Sequence, residues 1–348
     1  MTVEEMRVAL VGYGMAGREI HAPLLRGTAG LRVTHVVTGN AERAEAARAD
    51  LPGVTVLSSA DDVWAVADQI DLAVLASPNA VHYEQAVAAI ESGTAVVVDK
   101  PLATDADQAR QVVDLAAERA VPLTVFQNRR WDSDHLTARR VLAEGVVGDV
   151  IRLEARYERW RPVPKQRWRE QLSTDEGGGL LLDLQSHLVD ASINLLGPVA
   201  TVYAELAALS TVGDDVTFLA LEHRSGARSH LGATALAGAP GPRLRLLGRE
   251  AAYVVAAVDG ESTAYQDWLD LGADQRGWLL RGGEREPVAR EPGGWSAFYP
   301  AVVAMVRDGA PPPVDPRDAV VVLEVLDAAR RSARERSVVR LGGVGQSG

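Results

Sequence analysis

Along the first third of the chain the apolar positions keep changing period. Short apolar runs at residues 7–12, 31–38, 54–57, 72–76, 95–98 and 123–126 read as strands. Between them lie stretches with helical spacing, at 14–26, 41–50, from Asp61-Asp62 onward, at 81–92 and at 105–120. The runs "LAVLA" and "AVVV" hold no polar residue, as expected of strands buried on both faces. Gly93 suits the C-cap of the helix before it. This alternation predicts an α/β fold, a doubly wound parallel sheet with ligands beyond the carboxyl ends of its strands. The loops to watch are 12–17, 38–43, 77–82, 99–102 and 127–131.

After Trp131 the texture changes. Aromatic and arginine residues cluster in "YERWRPVPKQRWRE", and "GGGLLLDLQSHLVDASINLLG" follows at 177–197. From about 199 to 258 the strand-like runs lie close together with hairpin-type breaks, which predicts a second, α+β domain on a mostly antiparallel sheet. A last helix is expected at 316–335, and "GGVGQSG" reads as a loose tail. The expected division is 1–126, 127–340 and a tail at 341–348. A length of 348 residues agrees with two domains.

Composition narrows the function classes. The net charge of −11 argues against broad binding to nucleic acid or to an anionic membrane, while leaving room for a local basic pocket. With no cysteine, disulfides, thiolate catalysis and cysteine-ligated zinc are excluded. The opening "MTVEEMR" carries two acids and no apolar core, unlike a secretory leader, and no apolar run reaches membrane-span length. The expectation is a cytoplasmic protein.

Candidate chemistry starts at "VGYGMAGREI". Gly12, Gly14 and Gly17 follow a strand and open a helix inside a strand–helix–strand unit, the setting this spacing needs to bind a dinucleotide. Gly12 allows a tight turn, Gly14 lets the backbone approach the pyrophosphate, and Gly17 lets the helix pack on the strand. Tyr13, Met15 and Ala16 complete the loop, and the helix start supplies N–H groups for the anion. About twenty residues on, where an acid would accept from a free ribose 2′-hydroxyl, the chain has Thr38-Gly39-Asn40, with Arg43 beyond. Thr38, Asn40 and Arg43 could donate to a 2′-phosphate, so NADP is preferred over NAD. Lys100 stands at the end of a buried strand in "VVVDKPLA", where a lysine points into the ligand crevice. Asp183 and His187 are four apart, so on a helix they share a face and suit proton transfer at a substrate hydroxyl; a satisfied surface pair is the other reading. No third ligand at a telling spacing supports a metal. Of the other histidines only His82, beside a predicted ligand loop, is kept; the rest have no comparable partner in sequence.

The segments "GYGMAGREIHAPLL", "SPNAVHYEQAVAAIESG", "VVVDKPLA", "VFQNRRWDSDHLT", "RWRE" and "GGGLLLDLQSHLVD", in this order, resemble the Gfo/Idh/MocA oxidoreductases. The "NRRWDSD" and "RWRE" blocks are similar to the branch containing NADP-dependent scyllo-inositol dehydrogenase. The resemblance spans nearly the whole chain and is weakest at about 262–292. It implies an N-terminal Rossmann domain and a C-terminal domain on an open, mostly antiparallel sheet. By the family's Glu-Lys-Pro motif, matched here by Asp99-Lys100-Pro101, Lys100 inherits a catalytic and substrate-binding role. The family's D-x-G-x-H element matches Asp183, Gln185 and His187. Gln185 replaces its glycine, which is expected to crowd the helix start or add a polar group to the site.

By the same resemblance Ser77, Pro78, Asn79 and His82 border the nicotinamide and ribose, and Gln127 and Asn128 line the site. Arg156, Trp160, Arg161, Trp168 and Arg169 become candidates for substrate recognition, with a structural arm or a dimer contact as the other reading. The implied partners are a small polyol or sugar and further copies of the chain, as a homodimer or homotetramer. The implied reaction is reversible hydride transfer between NAD(P) and a secondary alcohol of a cyclic polyol or sugar. Alternatives are another reductase or a glycosidase on the same scaffold, a non-catalytic NAD(P)-binding regulator, or an interaction protein. Retention of Lys100, Asp183 and His187 together favours alcohol oxidation.

Overall fold

The computed structural model describes residues 5–256 and 275–342. The chain divides into two compact units, one of residues 1–128 with 295–323 and the other of 129–294 with 324–348.

The first unit holds a six-stranded sheet: β1 (Met6–Val11), β2 (Leu31–Val37), β3 (Thr55–Leu57), β4 (Leu72–Leu75), β5 (Ala95–Asp99) and β6 (Leu123–Phe126). Every pair is parallel and the spatial order is β3-β2-β1-β4-β5-β6. Val8, Ala9 and Leu10, Leu72–Leu75 and Val96, Val97 and Val98 are wholly buried, as the unbroken apolar runs require when both faces are covered. The order reverses between β1 and β4. The carboxyl ends of these two strands therefore border the crevice of such sheets, with Gly12 after one and Ser77 after the other. Helices Ala41–Asp50 and Ala106–Glu118 are capped at their N-termini by Asn40 and Asp105, whose side chains accept backbone N–H groups.

Two expectations need correction. The helix at 14–26 begins as a wider π-type segment, Ala16–His21, before the α-helical Ala22–Arg26. Residues 295–323 belong to the first unit, not the second. The reason is aromatic packing and one hydroxyl. Phe298 and Tyr299 are fully buried, Phe126 meets Phe298 edge-on at 4.8 Å, and the Thr124 hydroxyl donates to the Val314 carbonyl at 2.8 Å. None of this is visible in sequence, because the partners lie more than 170 positions apart.

The second unit holds a nine-stranded sheet: β7 (Val150–Glu158), β8 (Val199–Ala207), β9 (Val216–His223), β10 (Arg228–Thr234), β11 (Leu244–Gly248), β12 (Ala252–Val255), β13 (Gln275–Arg281), β14 (Glu284–Ala289) and β15 (Val339–Arg340). Its order is β14-β13-β12-β11-β7-β10-β9-β8-β15. All pairs are antiparallel except β7 with β10. Alternating burial along β9 and β10 shows one face packed and one open. On the packed face Leu153, Leu246 and Tyr253 meet Ala138 and Val141 of the helix Ser133–Ala143. Each fully buried aliphatic side chain there contributes roughly 1.5–3 kcal/mol. At alternate positions Glu154 takes salt bridges from Arg152, Arg156 and Arg245 at 2.8, 3.1 and 3.0 Å. The helix Pro316–Glu335 forms at the expected bounds. Residues 343–348 of the expected tail lie outside the described residues.

Candidate active site

The glycine loop is built from backbone. Gly12 has φ +101°, and a Cβ there would lie 2.6 Å from the Ala76 carbonyl oxygen. A Cβ on Gly17 would lie 2.0 Å from the Gly12 carbonyl oxygen. These two glycines seal the strand–helix junction. Gly14 is different, because the nearest atom to its would-be Cβ is an Arg43 guanidinium nitrogen at 3.8 Å. The middle glycine therefore meets only the far end of one flexible side chain, which leaves its backbone approachable by a ligand. Met15 is exposed beside it, while Tyr13 is buried and donates to Asp50 at 3.1 Å. Burial first, then the Asp50 carboxylate, pushes the Tyr13 hydroxyl up to about 12.

The ribose end is polar and lacks a strand-end acid. Asn40 Oδ1 accepts from the Arg43 amide at 2.9 Å, and Thr38 Oγ1 accepts from the Asn40 amide at 3.3 Å. Both oxygens are thus used locally, which leaves the Asn40 amide group and the Thr38 hydroxyl as donors. Arg43 has no acidic partner among the described residues. These groups fit the ribose end of a nicotinamide dinucleotide.

Beyond β4 and β5 the loops are braced together. His82 is buried, with Nδ1 2.8 Å from the Pro101 carbonyl and Nε2 3.0 Å from the Ser77 carbonyl. Burial pushes its pKa down, against the pull of the two carbonyls and of Asp99. Its ring therefore braces two loops, with both nitrogens facing carbonyl oxygens. The Ser77 hydroxyl donates to Gln85 at 2.6 Å. Asn79, Gln127 and Asn128 are buried side chains at the ends of β4 and β6, with Pro78 between Ser77 and Asn79.

Lys100 follows β5 and is buried, with a cis peptide bond to Pro101. Asp99 Oδ1 accepts from the Lys100 amide at 2.8 Å, and Asp99 Oδ2 lies 3.9 Å from His21 Nε2. His21 Nδ1 lies 2.6 Å from the Tyr299 hydroxyl. Burial pushes the Asp99 carboxyl up, yet His21, Lys100 and His82 together hold it below the usual carboxylate range. A buried Tyr299–His21–Asp99 line thus backs the lysine. Sequence reasoning missed it, since Tyr299 is 278 positions from His21.

In the second unit Asp183 lies in a π-type segment, Leu181–Gln185, that runs into the helix Ser186–Leu196 bearing His187. Such segments recur at functional sites. Asp183 Oδ1 accepts from Arg169 Nε at 3.2 Å, and the Arg169 guanidinium stacks over Trp168 at 4.2 Å. His187 is buried, its ring edge-on to Tyr157 at 6.4 Å. Arg243 lies over the other ring, Tyr157, at 4.0 Å and donates to its hydroxyl at 2.9 Å.

The segment is anchored from below by Asp214, which accepts from the Leu181 amide at 2.6 Å and from the Thr174 hydroxyl. Burial pushes the Asp214 carboxyl up. Gln185 corrects an expectation: it is fully buried and donates to Thr217 Oγ1 at 3.0 Å and to the Leu231 carbonyl at 3.1 Å. It ties the segment to β9 and β10 instead of entering the site.

A cleft in this unit brings together Asp183, Arg161 and Arg169 of the expected residues, with Arg159, Lys165 and Arg167 besides. Arg156, Trp160, Trp168 and His187 are not in its lining. Arg156 is held by Glu154, and Trp160 is exposed at an isolated bridge to Leu236. The other histidines do find partners once folded: His135 meets Asn194 at 2.9 Å and His223 meets Ser229 at 2.8 Å. Among the described residues no group of three metal-ligating side chains is found.

Two family models match, an oxidoreductase family with an NAD-binding Rossmann fold over residues 6–127 and the GFO/IDH/MocA C-terminal domain over 135–254. The chain belongs to the Gfo/Idh/MocA oxidoreductases. Within that family it is similar to the uncharacterized oxidoreductase YdgJ of Escherichia coli, 35% identical over 97% of this chain and 99% of that one. It is also similar to the NADP-dependent scyllo-inositol 2-dehydrogenase IolW of Bacillus subtilis, 28% identical over 97% of both chains. Among solved structures, the WlbA dehydrogenase of Bordetella pertussis in complex with NADH and UDP-GlcNAcA has a TM-score of 0.80 at 25% identity, over 97% of this chain and 99% of that one. The protein is therefore an NAD(P)-binding oxidoreductase, and its fold is the Rossmann sheet plus mixed sheet expected of the family.

Proposed function

We propose that this oxidoreductase interconverts a secondary alcohol and a ketone on a cyclic polyol or sugar, with NADP preferred over NAD. The observation that carries the reading is the joint presence of Lys100, buried at the end of β5, and of Asp183 and His187 on one helical segment. The residues of 12–17 would hold the pyrophosphate, and Thr38, Asn40 and Arg43 the 2′-phosphate. Bound there, the nicotinamide supplies the redox chemistry by exchanging hydride with the carbon that bears the oxygen.

In the oxidising direction His187 takes the hydroxyl proton, and Asp183 orients the ring. Lys100 donates a hydrogen bond to the reacting oxygen and stabilises charge developing on it. The names of relatives such as IolW, which acts on scyllo-inositol, support the substrate class. The Gly14 backbone, met only by the end of the Arg43 side chain, supports the cofactor reading. Small-molecule substrates, no nucleic acid or membrane partner, a cytoplasmic location and a homodimer or homotetramer complete the proposal. The open face of the nine-stranded sheet is the candidate for self-association. Among the described residues no helix is long and apolar enough to cross a membrane.

The test is nicotinamide absorbance during incubation with a panel of inositols and common sugars, with NADP and NAD in parallel. Turnover with a polyol or sugar, faster with NADP, is the expected result. A flat trace across the panel and across its uronate and sugar-phosphate forms, with cofactor binding confirmed, would remove the dehydrogenase reading.

A further inference from the structure

We infer that the substrate carries an oxyanion, carboxylate or phosphate, and that Arg161 and Lys165 hold it. The inference rests on the dehydrogenase reading above and narrows its substrate class. The chain has 36 basic and 47 acidic residues, yet Arg159, Arg161, Lys165, Arg167 and Arg169 all line one cleft of the second unit. Glu170, Asp183, Asp214 and Asp215 line the same cleft, so what a molecule reaching Asp183 meets depends on which of these charges are already paired.

Two of these cations are already committed. Arg167 pairs with Glu170, and Arg169 pairs with Asp183 at 3.2 Å. The cleft's two other acids are also occupied. Asp214 takes the Leu181 amide and the Thr174 hydroxyl, and Asp215 takes the amides of Leu209 and Ser210 at 2.8 and 2.7 Å. Arg161 and Lys165 have no acidic partner among the described residues, and both are exposed to solvent.

The base of this arm is fixed in place. The Arg159 amide donates to the Thr234 carbonyl at 3.0 Å and the Arg161 amide to the Ala235 carbonyl at 2.7 Å, while the Ala237 amide returns to the Arg159 carbonyl at 3.0 Å. The chain after β7 is thus held against the chain after β10, so the Arg161 side chain springs from ordered backbone. A planar guanidinium and an ammonium with no acidic partner among the described residues, both exposed in a cleft lining, recognise an oxyanion through charge-assisted hydrogen bonds. A neutral polyol would leave both charges to solvent.

The test compares glucose, glucuronate and glucose 6-phosphate as substrates of the full chain with NADP, in wild type and in R161A/K165A. The expected result is a kcat/KM about tenfold or more higher for one anionic sugar than for glucose. The double variant should bring that ratio towards unity, and Arg161→Lys should keep part of it. Glucuronate against glucose 6-phosphate separates carboxylate from phosphate. Glucose turned over as well as both anions, with a ratio insensitive to the double variant, overturns the inference and leaves the dehydrogenase reading standing. Calorimetric binding of the two anions to the NADP-loaded protein is read alongside. Binding that is lost in the double variant supports the inference even without turnover, and no binding of either anion overturns it.

Discussion

The glycine loop and the Asp183–His187 segment are made in opposite ways. The loop is backbone: what matters at Gly12 and Gly17 is the side chain that is not there, since any Cβ would strike a carbonyl oxygen at 2.6 or 2.0 Å. The segment is side chain: Arg169 pairs with Asp183, Asp214 holds the helix start, Gln185 pins it to the sheet, and Tyr157 lies against His187. The first depends on contacts within a few residues and one neighbouring strand. The second gathers groups from four separate stretches. A cofactor common to many reactions can be held by a local motif, whereas proton transfer needs donors set by long-range packing.

The largest effect expected is on Lys100. Lys100→Ala should lower kcat by about 100-fold or more while the NADP dissociation constant stays nearly the same. A parallel loss of NADP binding would mean that the lysine serves the cofactor site instead.

Gln185→Gly comes next. It removes two buried hydrogen bonds, opens a cavity and adds helix entropy cost, so thermal or urea unfolding should show a loss of about 2–4 kcal/mol. NADP binding should be unaffected, because the glycine loop belongs to the other unit. An unchanged unfolding midpoint would show that the segment does not depend on this side chain.

Gly17→Ala should act in the reverse sense. It should weaken NADP binding and cost about 1–3 kcal/mol by overpacking the loop. If calorimetry finds the affinity intact, the loop is not the backbone cradle described.

Arg43→Ala should lower NADP affinity about tenfold and leave NAD affinity alone, as loss of one charge-assisted contact implies. Equal effects on both cofactors would place Arg43 away from the 2′-phosphate.

The smallest effect is shared by both units. His35, His82, His135, His223 and His230 all have lowered pKa values, with burial the first cause in each. The unfolded chain therefore binds protons more readily at these sites. Stability from them is complete above about pH 6.5 and is lost as pH falls through the folded-state values. Thermal midpoints that hold steady or rise between pH 7 and 5 would contradict this.

The Rossmann sheet was legible because each strand and helix declares itself within about ten residues. Continuous apolar runs gave the buried strands, and helical spacing gave the helices between them, two of which Asn40 and Asp105 cap in the structure. The spacing of Gly12, Gly14 and Gly17 stood out for the same reason. What was hidden needed contacts between distant positions. Nothing around Phe298 announces that it packs on Phe126, or that Tyr299 reaches His21. Gln185 could be read as a departure from the family's glycine, but its direction could not, since that depends on where β9 and β10 lie. For His82 the position beside the Ser77 loop was visible, but its two carbonyl partners were not.

The most direct measurement is the rate of nicotinamide reduction by wild type and by Asp183→Asn and His187→Ala across a pH series, with whichever polyol or sugar the panel identifies. The account predicts that His187→Ala loses at least about 100-fold in kcat and flattens the pH dependence on the acid side, and that Asp183→Asn lies between the two, all with NADP binding retained. Wild-type rates and an unaltered pH profile in His187→Ala would contradict the claim that this helical segment carries the proton transfer.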